Sequence, residues 1–242
     1  MLWQVAGYAL ITAVATGLGA LPFFWTNHVH KRQLGRYNSL AAGLMVGASI
    51  VLLYEGLVDS LLLVASGVIL GVLFVIITGY LLKEVEIADP NYFTKASFRQ
   101  MVLIIVVMTA HSFAEGISIG FSFGGSMEFG LLIVLAMAIQ NVPEGLAVGA
   151  VLCPRGISPT RAAWWSIFTS LPQPLMAVPA FLFVKSFAHF LPLGLGFAGG
   201  AMIWVVFAEL VPETRREVSL AGWLPVFLVS IFAMMALGLL IK

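Results

Sequence analysis

Apolar runs of 18 residues or more recur along the whole chain, separated by short polar breaks. Each run is long enough to cross a hydrocarbon layer of about 30 Å as a helix. Reading the runs between the breaks predicts helices over residues 2–25, 38–57, 60–83, 100–123, 129–151, 161–184, 190–211 and 220–241. The breaks carry the topology, because Lys and Arg near helix ends favour the cytoplasmic side. Lys31, Arg32 and Arg36 fall in connection 1–2, and Lys83, Lys95 and Arg99 in connection 3–4. Arg155 and Arg161 fall in connection 5–6, and Arg215 and Arg216 in connection 7–8. Ten of the twelve basic residues thus lie in odd-numbered connections, and only Lys185 and Lys242 fall on the other side. Both termini are therefore expected outside the cytoplasm, and a missed span would scramble the alternation.

Composition agrees with this reading. Of 242 residues, 61% are apolar and 10% charged, against roughly 25% charged in an average soluble domain. The expected fold is an all-α membrane protein, a polytopic bundle of eight transmembrane helices forming a single domain over residues 1–242. The one cysteine, Cys153, excludes an intrachain disulfide framework and a cysteine metal cluster. A net charge of +1 gives no sign of a nucleic-acid partner. The first apolar run lacks a basic leader, so helix 1 is expected to be retained. Small residues four apart at Gly43/Gly47, Gly67/Gly71, Gly116/Gly120, Gly145/Gly149 and Gly196/Gly200 predict close helix packing. Trp3, Trp25, Trp164, Trp165 and Trp223, near span ends, read as interfacial anchors.

Ionisable groups at membrane depth are costly, by about 2.5 to 3.5 kcal/mol for a charge on insertion scales, so each suggests function. Helix 4 carries HSFAEG from His111 to Gly116, and helix 5 carries QNVPEG from Gln140 to Gly145. In each, the first polar residue and the Glu are four apart, on one helical face and one turn apart in height. A short turn around Gly124 to Ser126 makes the two helices antiparallel, so the edges can face each other as a site of His111, Glu115, Gln140 and Glu144. One imidazole, one amide and two carboxylates suit a borderline divalent ion such as Zn²⁺ or Fe²⁺, and the carboxylates offset its charge. Close, desolvated carboxylates also imply that protons and metal compete there. Pro143 cannot donate to the carbonyl of Ile139 and is expected to kink helix 5.

These two motifs resemble those of the ZIP family of zinc and iron permeases, whose helix 4 reads His-Asn-x-Pro-Glu-Gly and helix 5 His/Gln-Asn/Asp-x-Pro-Glu-Gly. Weaker similarity runs through ATGLGALP (15–22), GLMVGASIVLLYEGL (43–57) and GFAGGAMIWVVFAELVPE (196–213). The resemblance implies eight helices with both ends outside, a two-metal site, metal movement toward the cytosol by alternating access, and a homodimer. It assigns His111, Glu115, Gln140 and Glu144 to the first metal position, and Ser112, Asn141 and Gln173 to the second. Ser112 stands where the family has Asn, Asn141 where many members have Asp, and Gln173 where the family often has Glu. The second position therefore lacks a carboxylate of its own and is expected to bind metal weakly or not at all. Ala114 replaces the family's helix 4 proline.

The expected function is thus transport of a divalent transition metal, Zn²⁺ first and Fe²⁺, Mn²⁺, Co²⁺ or Cd²⁺ as other substrates. The metal is cargo, with no cofactor, and the location is a plasma membrane, the inner membrane in a bacterium. His28, His30 and Glu209 are candidate ligands at a cytoplasmic exit; Glu55 and Asp59 lie at the expected outer mouth. Two other classes stay open: an intramembrane zinc-dependent hydrolase, which lacks a His-Glu-x-x-His motif here, and a metal-responsive sensor or channel.

Overall fold

The computed structural model describes residues 1–26, 30–83 and 95–240, and among them every regular element is helical. The elements are α1 (Leu2–Leu18), α2 (Lys31–Asp59), α3 (Leu61–Lys83), α4 (Lys95–Gly125) and α5 (Met127–Leu152). They continue with α6 (Pro159–Ser170), α7 (Pro172–Ser186), α8 (Leu191–Val205), α9 (Val211–Glu217) and α10 (Leu220–Leu240). Seven stretches among the described residues are long and apolar enough to cross a bilayer. With α4, 31 residues long, they make the eight spans expected.

The boundaries differ in an informative way. Helix α2 starts at Lys31, not near 38, and α4 at Lys95, not near 100. Lys31, Arg32 and Arg36 accordingly sit on the first turns of a helix and not in a loop. An apolar-run reading stops where hydrocarbon stops, whereas backbone hydrogen bonding carries a helix on into the headgroup region. The sixth span is broken at Leu171, because Pro172 has no N–H to continue the ladder and opens α7 instead. The seventh passes from α8 into α9 through a π-helical segment, Val206–Leu210.

The small-residue stripes resolve into four helix pairs. Gly67 and Gly71 of α3 lie on the backbone of Leu193 and Phe197 in α8, while Gly196 and Gly200 of α8 lie on Val64 and Val68 of α3. Gly43 and Gly47 of α2 meet Phe227, Ser230 and Met234 of α10. Gly116 and Gly120 of α4 face the backbone of Gln173 and Ala177 in α7, and Gly145 and Gly149 of α5 face Thr16 and Phe23 at the end of the first span. In lipid, where apolar surface gains nothing by leaving its solvent, such backbone-to-backbone approach is a principal source of cohesion.

Among the described residues, one end of the bundle collects connections 1–2, 5–6 and 7–8. Phe23, Leu34, Leu152, Cys153 and Ala162 pack together there, and Gly35 of α2 lies against Glu217 and Val218. The arginines and lysines flanking these residues share that end, and Gly56, Pro192 and Leu195 mark the opposite one. Trp3, Trp25 and Trp164 are exposed as anchors should be, but Trp223 is buried, edge-on to Phe227, with its carbonyl accepting from the Ser39 hydroxyl. Trp223 is a packing residue of the α2–α10 contact; its place near a span end did not reveal that α2 extends alongside it.

A Cβ at Gly196 would meet the backbone of Val64, whereas one at Gly7 meets nothing within 4 Å. Gly196→Leu is expected to cost about 1–3 kcal/mol by overpacking, seen as a lower unfolding midpoint in detergent micelles. Gly7→Leu should shift that midpoint by no more than about 0.5 kcal/mol.

Candidate metal site

Helices α4 and α5 form a hairpin whose only linking residue is Ser126. Its extended backbone reverses the chain and its hydroxyl accepts the N–H of Phe129, capping α5. The hairpin fixes the pairing across the two motifs. Counting from Ser126, Glu115 is 11 residues away and Gln140 14, His111 15 and Glu144 18, so both cross-helix pairs carry the same three-residue offset and the motifs meet in one register. The contacts follow this register. Gln140 Nε2 donates to Glu115 Oε1 at 2.8 Å, and His111 Nε2 lies 3.7 Å from Glu144 Oε1. The i, i+4 spacing within α4 brings His111 Nε2 to 3.6 Å from Glu115 Oε1. Helix α5 runs unbroken through Pro143.

His111, Glu115, Gln140 and Glu144 are all buried, with Glu115 and Gln140 fully so. His111, Glu115 and Glu144 each present one ligand atom, and the three atoms lie within 4.8 Å of one another. Two nitrogen or oxygen ligands about 2.0–2.1 Å from a tetrahedral zinc stand about 3.4 Å apart, close to the two His111–carboxylate separations.

The carboxylates differ in their surroundings. Both oxygens of Glu115 are held, Oε1 by Gln140 and Oε2 by Gln173 Nε2 at 2.7 Å. Neither oxygen of Glu144 has a hydrogen-bond partner, and neither does His111 Nδ1. The Gln173 side chain is itself oriented. Asn141 Nδ2, anchored on the Thr12 carbonyl at 2.7 Å, also donates to Gln173 Oε1 at 3.1 Å, and the Thr12 hydroxyl lies 2.5 Å from the same oxygen. Gln173 Oε1 must therefore face α1, leaving its NH₂ for Glu115. Local folding explains the placement. Pro172 breaks the sixth span one residue before Gln173, and Gly116 lets α7 close on Glu115.

Asn141 and Gln173 thus join the network, whereas Ser112 is buried but no hydrogen bond links it to these side chains among the described residues. His30 is exposed at the start of α2, at the basic end. Glu209 lies on the π-helical segment, exposed, within electrostatic reach of His111. His28 lies outside the described residues. Two residues absent from the sequence reading line the site. Thr12 comes from α1, and nothing in its own segment announces it. Met137, fully buried with its sulfur 3.3 Å from Gln140 Nε2, is three residues before Gln140 and so shared its face all along.

Residues 83–241 match the family described as ZIP zinc transporter. The zinc transporter GufA of Myxococcus xanthus is 32% identical over 86% of this chain and 87% of its own length. The zinc transporter ZIPB of Bordetella bronchiseptica is 32% identical over 96% of this chain and 82% of its own. A longer Arabidopsis thaliana protein is 44% identical over 98% of this chain, which spans 39% of that protein's length.

The unequal holding of the two acids has a measurable consequence in metal-free protein. Gln173→Leu leaves a buried carboxylate oxygen without its donor and is expected to lower stability by about 1–3 kcal/mol. Glu144→Gln removes a buried charge that has no donor and should leave the unfolding midpoint unchanged or raised.

Proposed function

The chain belongs to the ZIP zinc transporter family, whose members move divalent metal and are not enzymes, and on that premise we propose that the metal crosses this protein through His111, Glu115, Gln140 and Glu144. The observation that carries the reading is the convergence of three buried ligand atoms within 4.8 Å on a helical hairpin. Zinc is the first substrate, because imidazole and carboxylate donors at these separations fit its tetrahedral shell. A mixed set of this kind also accepts Fe²⁺, Mn²⁺, Co²⁺ or Cd²⁺.

The ion is held singly. Where a second metal would need anionic ligands, this chain presents the amides of Asn141 and Gln173, and both are already engaged with Thr12 and Glu115. An amide NH₂ pointing at Glu115 supplies the positive edge that a second cation would otherwise bring. The ion itself completes the shell of Glu144, whose oxygens have no hydrogen-bond partner, and bridges it to His111 Nε2 and Glu115.

The basic end faces the cytoplasm, by the positive-inside bias, which puts both termini outside and directs uptake from the Glu55/Asp59 end toward the basic end. Glu209 and His30 then lie on the exit side. The protein acts as a single transmembrane domain and homodimer in the plasma membrane, the inner membrane of a bacterial cell, with α4 and α5 moving against the remaining helices in alternating access.

In liposomes loaded with a fluorescent zinc indicator, the wild type should admit Zn²⁺ well above empty vesicles. Glu144→Ala, and His111→Ala with Glu115→Ala, should each fall to background. Equal entry through folded variants would remove the site from the pathway, and no entry through folded wild type under zinc and proton gradients of either sign would count against transport. Equilibrium dialysis should return one tightly bound Zn²⁺ per chain, rising toward two in an Asn141→Asp, Gln173→Glu variant.

A further inference from the structure

A second group of buried polar atoms lies off the hairpin, on the seam between α2 and α9. Asn38 and Thr214 are 2% and 1% exposed, yet Asn38 Nδ2 and Thr214 Oγ1 have no hydrogen-bond partner. Oε2 of Glu217 is likewise buried and without one. The helices run antiparallel, and their register is set by Gly35, whose missing side chain leaves space filled by Glu217 and Val218. Glu217 Oε2 lies 3.4 Å from where a Gly35 Cβ would stand. One turn deeper, three residues on from Gly35 and three back from Glu217, the same faces bring Asn38 opposite Thr214. By that register the three residues share the α2–α9 seam, with Glu217 nearest the basic end and Asn38 and Thr214 one turn further in.

Buried polar groups are satisfied in folded proteins, so an unsatisfied group implies a partner. Three on one seam imply a shared one. We propose that Asn38, Thr214 and Glu217 form a second divalent-cation site made only of oxygen donors, with the Asn38 amide turned to present its oxygen. The two amide atoms are exchangeable by a half-turn, so the unpartnered end can offer either. Carboxylate, hydroxyl and amide oxygens are the donors of hard cations, and the set favours Mn²⁺ or Mg²⁺ and binds Zn²⁺ weakly.

The charges around the seam suit a place where an ion is held briefly. Glu213 adds a second negative charge within electrostatic reach of Glu217, while Lys31 opposes it and Arg216 acts on Glu213. An ion travelling from mid-membrane to this end meets Lys31, Arg32, Arg36, Arg215 and Arg216, which repel it. A shallow oxygen site just inside that layer lowers the barrier at the step where it is highest.

The test removes the hairpin ligands first, so its outcome is independent of the mid-membrane reading. Full-length protein carrying His111→Ala and Glu144→Ala, in detergent, is titrated with Mn²⁺ and followed by loss of the free-ion electron paramagnetic resonance signal. One bound Mn²⁺ per chain is expected, weakened at least tenfold by adding Glu217→Gln or Thr214→Val. Asn38→Asp, which adds a carboxylate, should tighten it severalfold. Absence of bound Mn²⁺ would mean that a water bridges the seam and would overturn the proposal. Binding that survives both Glu217→Gln and Thr214→Val, or ignores Asn38→Asp, would overturn it equally.

Discussion

Glu115 is a carboxylate with no exposed surface inside a bundle built to sit in hydrocarbon. Leaving it unmatched would cost several kcal/mol, so the helices around it are arranged to supply donors. Gln140 reaches it from α5, and Gln173 from α7. Gln173 can do so only because Asn141 and Thr12 hold its far end. Four helices are thereby tied to one side chain, and the glycine after each motif glutamate makes the ties short enough. Gly116 admits the backbone of α7, and Gly145 admits that of α1 at Thr16. Beside them, the Thr16 and Ser170 hydroxyls join at 2.8 Å, so the contact between α1 and the sixth span is polar over two turns.

The two motif glutamates consequently play different parts despite identical spacing. Glu115 is gripped from both sides and behaves as a fixed element of the scaffold that also stands 3.6 Å from His111. Neither oxygen of Glu144 nor the Nδ1 of His111 has a hydrogen-bond partner, while His111 Nε2 stands 3.6 and 3.7 Å from the two carboxylates. The neutral amides of Asn141 and Gln173 are engaged with Thr12, with each other and with Glu115, and so serve as structural support for that carboxylate.

Much of this was legible in the residue order, for reasons that differ by level. The eight spans were readable because lipid admits only helices with satisfied backbones, so hydropathy reports them directly. His111, Glu115, Gln140 and Glu144 could be grouped because the same four-residue spacing recurs on two helices joined by a short turn, which makes their polar edges face each other. The five glycine pairs announced close packing but not partners, since a glycine stripe records that something approaches and not what. Thr12 was invisible because a threonine in an apolar helix is common, and its role is created by α5 and α7. The break at Leu171 was missed although Pro172 stood in plain view, because the hydrophobic run continues across it. Trp223 was misread because an anchor and a packing tryptophan share the same address in the sequence.

The one-residue link at Ser126 also sets the geometry of motion. Two long rods joined at a rigid corner cannot slide past each other; they can only spread like the legs of a drawing compass. At a helical rise of 1.5 Å per residue, Glu115 sits about 16 Å from that corner, Gln140 and His111 about 21 and 22 Å, and Glu144 about 27 Å. A spread about that corner would open the Gln140–Glu115 rung by roughly three quarters as much as it moves His111 and Glu144 apart, because the latter stand further out along the legs. The hairpin is a lever whose arm lengths decide which contacts break first, and the rung nearer the corner is the one with the hydrogen bond.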